Sequence, residues 1–311
     1  MLQVLKQNGK VIERCDQFEE GCWINMVAPT PEELKEVQSR LPVLTEFLHY
    51  PLDEEETSRI EKEEDQVLII IKIPDARHEG DVVRYETIPL GIILIDSVII
   101  TICLKKTQLI DELLSGRAVI TGLLCDPIRF IFHIFLRTAA LFLKHLRLID
   151  RLTSEYENEL HRSLRNRELI KLLNLEKSLV YFNTSLRANE LVMARLQSGR
   201  YVPITEGSDE VLEDALIENQ QAIEMAKIYS DILSGMMDAY ASVISNNINV
   251  VMKFLTSVTI ILSLPTLVAS VYGMNIPLPL QNHPHAFGIV IGFSLALSAL
   301  VVFFLFRKKM L

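Results

Sequence analysis

The chain has 311 residues, 49% of them hydrophobic, and its 40 acidic against 31 basic residues give a net charge of −9. That balance excludes a nucleic-acid partner held through phosphate contacts and is compatible with cations. The four cysteines, Cys15, Cys22, Cys103 and Cys125, have neither CxxC nor metal-ligand spacing and read as ordinary reduced thiols.

The first twenty residues hold no long apolar run, so they are not read as a cleaved signal peptide. Residues 1–125 are expected to form a mixed α/β domain that stays in the cytoplasm. Trp23 to Val27 reads as a strand. Thr30, followed by Pro31, Glu32 and Glu33, reads as the N-cap of a helix running to about Leu41. Gln66 to Ile73, Tyr85 to Ile95 and Ser97 to Leu104 are rich in Ile and Val, as buried strands are. The acidic segment Asp53 to Asp65 is read as a solvated helix face rather than a site.

From Asp126-Pro127 the texture becomes long amphipathic helix, with no proline or glycine between Pro127 and Gly199. Residues 126–206 therefore read as two antiparallel helices broken near Leu164 to Asn166. Ser198 to Pro203 is the next break, and Ser208 with Asp209 and Glu210 is read as capping a new start. From Ser208 to the membrane only Gly235 interrupts the helix, and one glycine costs a helix about 1 kcal/mol. A helix from 208 to 273 would be roughly 100 Å long at 1.5 Å per residue. Residues 207–253 are thus a stalk continuous with the first membrane span.

Between Phe254 and Phe306 there is no Asp, Glu, Lys or Arg. Residues 254–273 and 286–306 each have the length that crosses a ~30 Å hydrocarbon core. Lys253 and the tail 307–311, with Arg307, Lys308 and Lys309, flank the two spans on one side, which the positive-inside rule makes cytoplasmic. Both termini are then cytoplasmic, and the connection 274–285 is extracytoplasmic. Pro265 lies mid-span and needs neighbouring helices to satisfy the carbonyl it frees.

Along the stalk and first span the polar positions recur at helical intervals: Asp231, Asp238, Ser245, Asn249, Met252, Leu255 or Thr256, Thr259, Ser263, Thr266 and Ser270. Such a stripe is also what a small-residue packing seam looks like. Its continuation as Asn and then carboxylates below the span favours a cation path, and one striped helix cannot enclose water, so several copies are required. Nine acidic residues (Glu206, Asp209, Glu210, Glu213, Asp214, Glu218, Glu224, Asp231, Asp238) face a single basic one, Lys227, between 206 and 252. Ringed, their inward members would concentrate cations. Without thiolates or imidazoles, the stretch suits hard, hydrated ions. At the outer end Gly273 permits close backbone approach or a left-handed turn, and the Asn275 carboxamide can hydrogen-bond an ion's water shell.

Tyr272-Gly273-Met274-Asn275 after a span that carries Asn249, Met252, Pro265 and Thr266 in register resembles the CorA family of two-span GMN-motif divalent-cation channels. The resemblance implies an α+β membrane protein: a cytosolic α/β domain, a long helical stalk of coiled-coil character forming a funnel, and two C-terminal transmembrane helices. It implies a homopentamer in the cell membrane that takes up Mg²⁺, with Co²⁺ or Ni²⁺ also admitted, and is regulated by cytosolic Mg²⁺. Asn249, Met252, Leu255, Thr259, Ser263, Thr266 and Ser270 would line the pore, and Gly273, Met274 and Asn275 would form the filter. Asp214 matches the stalk carboxylate of the regulatory site, while Asp231 and Asp238 would attract cations. No organic cofactor is implied. Two departures stand out: Ser263 replaces a bulky apolar residue, and the outer loop has no carboxylate. His283 and His285 in that loop read as polar residues rather than a transition-metal pair. Competing readings are Zn²⁺ transport of the ZntB kind and a non-conducting membrane-anchored sensor or scaffold. An enzyme is not expected, since no nucleophile set, phosphate loop or metalloprotease motif appears.

Overall fold

The computed structural model describes residues 1–9, 11–15, 17–79, 82–115, 123–162, 166–205, 207–276, 278–279 and 283–308. They fall into two compact units, Met1–Ser234 and Gly235–Leu311.

The first unit opens with β1 (Leu2–Asn8), β2 (Val11–Arg14) and β3 (Trp23–Val27), then α1 (Pro31–Arg40), α2 (Thr45–His49) and a 3₁₀ turn at Tyr50–Leu52. Strands β4 (Arg59–Glu63), β5 (Gln66–Glu79), β6 (Val82–Ile95) and β7 (Val98–Cys103) complete one seven-stranded sheet of order β2-β1-β3-β7-β6-β5-β4. Among these strands only β3 and β7 pair in parallel. Helix α3 (Gln108–Leu114) follows, a 3₁₀ turn at Leu123–Cys125 precedes α4 (Pro127–Arg162), and α5 spans Asn166–Gln197.

The Ile/Val-rich strands are buried on both faces, which is why they read as unbroken apolar runs rather than alternations. Ile69, Ile71 and Ile73 face a core shared with Leu109 of α3 and Phe130, Ile131 and Phe135 of α4. Leu68 and Ile70 face the other way, against Leu34 and Val37 of α1 and Phe47 and Leu48 of α2. The expected capping box at α1 is present: Glu33 N–H donates to Thr30 Oγ1 (3.3 Å) and Thr30 N–H donates to Glu33 Oε2 (2.9 Å).

The β5–β6 ribbon outruns the sheet. Strand β4 ends opposite Ile70 and β7 ends opposite Leu90, leaving Lys72 to Glu79 and Val82 to Pro89 paired only with each other. Helix α5 supplies the missing partners. Asn189 accepts from Lys72 N–H (2.9 Å) and donates to Lys72 O (2.7 Å), while Ser178 Oγ accepts from Tyr85 N–H (3.2 Å). Pro74 and Pro89 share the outward parity of Lys72 and Tyr85 in this register, so their absent N–H groups fall on open edges.

Two expectations are corrected. Asp53 to Asp65 is not a helix face but a turn followed by the edge strand β4. Its single inward apolar residue, Ile60, gave no period to read, and charged residues such as Glu61 and Glu63 are what a protected sheet edge carries. The same segment serves Lys72, whose ammonium donates to Glu54 O (2.8 Å); burial holds that ammonium below its ordinary range, against the opposing pull of Glu56 and Asp53. Ser208 is the first residue of its helix rather than a flanking cap, and its hydroxyl accepts from Thr205 N–H (2.9 Å). The expected break near Leu164 to Asn166 falls between α4 and α5, with Leu164 and Arg165 outside the described residues, as is Glu206. All four cysteines are free thiols.

Helix α6 runs from Ser208 to Tyr272 and α7 from Ala286 to Arg307. Both are long and apolar enough to cross a membrane. Gly235 lies inside α6 with no other atom of the same chain within 4 Å of an added Cβ.

Candidate cation pathway

Within the second unit, α6 has two opposed faces. Ser257 and Val268 are buried, and so are Ser294, Ser298 and Leu305 of α7. An apolar cavity of about 350 Å³ lined by Leu267, Val268, Val271, Tyr272, Ile289, Val290 and Phe293 places the outer halves of the two helices side by side. Val268 therefore marks the side of α6 that meets α7 in the outer half of the hairpin. Thr259 is nine residues from Val268, about 180° around the helix at 3.6 residues per turn. The stripe of hydroxyl residues thus points away from α7.

On that face Thr259, Ser263, Thr266 and Ser270 line one open groove of about 680 Å³, together with Leu262, Leu267, Val271 and Met274. Each characterised hydroxyl spends its proton inside the helix. Thr259 Oγ1 donates to Leu255 O (2.8 Å), Ser263 Oγ to Ile260 O (2.9 Å) and Thr266 Oγ1 to Leu262 O (3.0 Å). What remains for the groove is oxygen lone pairs, which suit a cation and its hydration shell. Leu262, Leu267 and Val271 were not among the residues expected from polarity. They flank the stripe at helical spacing, and projecting the helix rather than selecting polar letters would have found them.

The remaining expected positions lie along the same helix. Asn249, Met252 and Leu255 are exposed, as are Asp214, Asp231 and Asp238, and none of these six lines the groove. Asp214 belongs to the first unit, as does Asp231; Asp238 belongs to the second. Among the described residues no group of three or more His, Cys, Asp or Glu side chains is placed to hold a metal ion.

At the outer end Gly273 N–H donates to Ala269 O (2.9 Å) and Met274 N–H to Val271 O (3.2 Å), closing the last turn. Gly273 does not adopt the left-handed backbone that was one of its two expected roles. A Cβ added at Gly273 would stand 3.3 Å from Ala269 O of the preceding turn. Met274 and Asn275 are exposed beyond it. Pro277, Leu280, Gln281 and Asn282 of the outer loop lie outside the described residues. His285 N–H donates to His283 Nδ1 (3.2 Å), which occupies one ring nitrogen in ordering the turn before α7.

The sequence profile of the family described as CorA-like Mg²⁺ transporter protein matches residues 18–308. The chain belongs to that family. A CorA-family relative, the cobalt/magnesium transport protein CorA of Methanocaldococcus jannaschii, is 32% identical over 292 residues, covering 92% of this chain and 90% of its own. The complete structure of the M. jannaschii CorA magnesium transporter superposes with a TM-score of 0.85, covering 100% of this chain and 99% of that one at 28% identity. The cytoplasmic domain of ZntB from Vibrio parahaemolyticus matches 78% of this chain and 98% of its own, with a TM-score of 0.61 at 10% identity, a likeness of fold alone. CorA-family membership and the two apolar C-terminal helices make this a membrane protein. The family is one of transporters rather than enzymes.

Proposed function

We propose that this chain is one subunit of a homopentameric channel for divalent cations, Mg²⁺ above all, with Co²⁺ and Ni²⁺ as further permeants. The observation that carries the reading is the opposition of the two faces of α6. Val268 is buried on the side that meets α7, while Thr259, Ser263, Thr266 and Ser270 line an open groove on the other, where the hydroxyls of Thr259, Ser263 and Thr266 donate into the helix and keep their acceptor lone pairs. A continuous row of acceptor oxygens left open on a membrane helix finds its use around water.

In the assembled ring Asn249, Met252 and Leu255 continue the conduit inward, and Gly273, Met274 and Asn275 form the filter, with the carboxamide meeting a hydrated ion. Mg²⁺ sheds its waters reluctantly, so an uncharged ring that binds the shell is suited to it. With Ser263 polar, the narrow apolar constriction rests on Met252 and Leu255. Asp231 and Asp238 raise the local cation concentration below the membrane, and Asp214 with an acidic residue of a neighbouring subunit binds regulatory cytosolic Mg²⁺. Both termini are cytoplasmic, in keeping with Lys253 and Arg307 at the same ends of the two spans.

The test is ion flux in liposomes containing the purified chain, wild type against Asn275→Ala. Mg²⁺ uptake by the wild type that falls at least tenfold in the variant is the expected result. Unchanged uptake in the variant removes the filter assignment, and no uptake of any divalent ion by the wild type favours a non-conducting sensor.

A further inference from the structure

The second unit is electrically lopsided. From Ala239 to Leu311 there is no Asp or Glu, while the basic residues Lys253, Arg307, Lys308 and Lys309 all lie there. Lys309 is outside the described residues; the other three are exposed. Leu267 to Tyr272 of α6 stand beside Ile289 to Phe293 of α7. Lys253 is fifteen residues inward of Val268 and Arg307 fourteen beyond Phe293, about 21–23 Å in each case at 1.5 Å per residue. The three cations therefore lie at one level. The only acidic side chain of this unit, Asp238, is a further fifteen residues down α6, about 22 Å away and more than two Debye lengths at physiological salt. It cannot neutralise them.

The surroundings are those of a bilayer boundary. Phe254, Phe303, Phe304 and Phe306 are exposed at the same level, and Lys308 Nζ stands 6.0 Å from the Phe304 ring centroid. An ammonium that follows an uninterrupted apolar helix and leans on a phenyl ring is placed where a lipid phosphate meets its acyl chains.

We propose that Lys253, Arg307 and Lys308 form a binding surface for the phosphate headgroups of anionic phospholipids. The inference rests on α6 and α7 spanning the bilayer, but not on conduction. A basic residue at an anionic membrane surface contributes about fivefold in binding. Repetition of the surface in several subunits adds to the demand for counter-charge.

The experiment uses the full chain in mild detergent mixed with equimolar phosphatidylcholine and phosphatidylglycerol, followed by size exclusion and mass spectrometry of the lipid retained. Wild type is expected to retain phosphatidylglycerol preferentially. Lys308→Gln lowers that preference several-fold, and the triple variant K253Q/R307Q/K308Q abolishes it. Equal retention of the two lipids by wild type, or wild-type preference in the triple variant, overturns the proposal. If the triple variant does not fold, Lys308→Gln at the helix end decides alone, and an unchanged preference there overturns it equally. A parallel arm adds inorganic phosphate at constant ionic strength. Retention that survives supports a lipid headgroup, and retention lost to phosphate but not to chloride makes the surface a free-phosphate site and ends the lipid assignment. Liposome flux is read separately, so a chain that conducts nothing still tests the surface.

Discussion

His145 makes the first unit sensitive to acid, and the size of the effect follows from its surroundings. The residue is 5% exposed on α4, with its ring centroid 5.3 Å from that of Tyr85 on β6 and 6.4 Å from that of Phe182 on α5. Its Nδ1 is buried without a hydrogen-bond partner. Burial first, and then the adjacent Lys144, push its pKa down from 6.5 to about 4, against a smaller upward pull from Asp75 and Glu112. The unfolded chain therefore takes up a proton near pH 6.5 while the folded one refuses it until about pH 4. Between those values the unfolded state binds more protons, so stability is full above pH 6.5 and is lost as pH falls. The loss attributable to this one ring is about 2 kcal/mol at pH 5 and about 3 kcal/mol below pH 4. Trp23, the only tryptophan and fully buried in the same unit, supplies a fluorescence signal for thermal unfolding of the purified full chain. His145→Phe keeps the ring and removes the proton site, and should remove about 2 kcal/mol, roughly 4–8 °C in Tm, from the destabilisation seen between pH 7.5 and pH 5. Identical pH dependence in wild type and variant would refute the reasoning.

Gly91 of β6 lies under Pro51, and a Cβ there would come within 2.1 Å of Pro51 Cγ and 2.7 Å of its Cβ. Gly91→Ala should cost about 1–3 kcal/mol or more by overpacking, measured by the same melt, and Pro51→Gly should recover part of it. Asn189→Ala strips both backbone partners from Lys72 and is expected to cost about 2–4 kcal/mol, whereas Asn189→Asp should keep the bond from Lys72 N–H and lose the one to its carbonyl. Asp214→Ala should raise Mg²⁺ flux at high internal Mg²⁺, and inhibition curves identical to wild type would take Asp214 out of regulation.

The long helices were legible because no proline or glycine lies between Pro127 and Gly199, and Ser208 to Tyr272 holds only Gly235 and the in-span Pro265. The capping box at Thr30 was legible because its partner is three residues away. Edge strands were not. Val11–Arg14 and Arg59–Glu63 bury at most one side chain each, so their pattern is weak, and pairing across the sheet makes them strands. The bridging of Lys72 by Asn189 joins residues 117 apart, and no local spacing announces it.

For the candidate pathway, the sequence by itself determined that α6 carries a hydroxyl stripe at helical intervals, because side-chain period is fixed by the helix. It also determined that this stripe runs through an uncharged span and ends at Gly273-Met274-Asn275. Only the tertiary structure decided which side of the helix meets α7. Thr259, Ser263, Thr266 and Ser270 could equally have formed that seam, being small enough for close packing; instead Ser257, Ser294 and Ser298 are buried and the stripe is left open. The physical reason is that helical period places residues on faces, but rotation of one helix against another is set by the packing of both, and the second helix is written elsewhere in the chain.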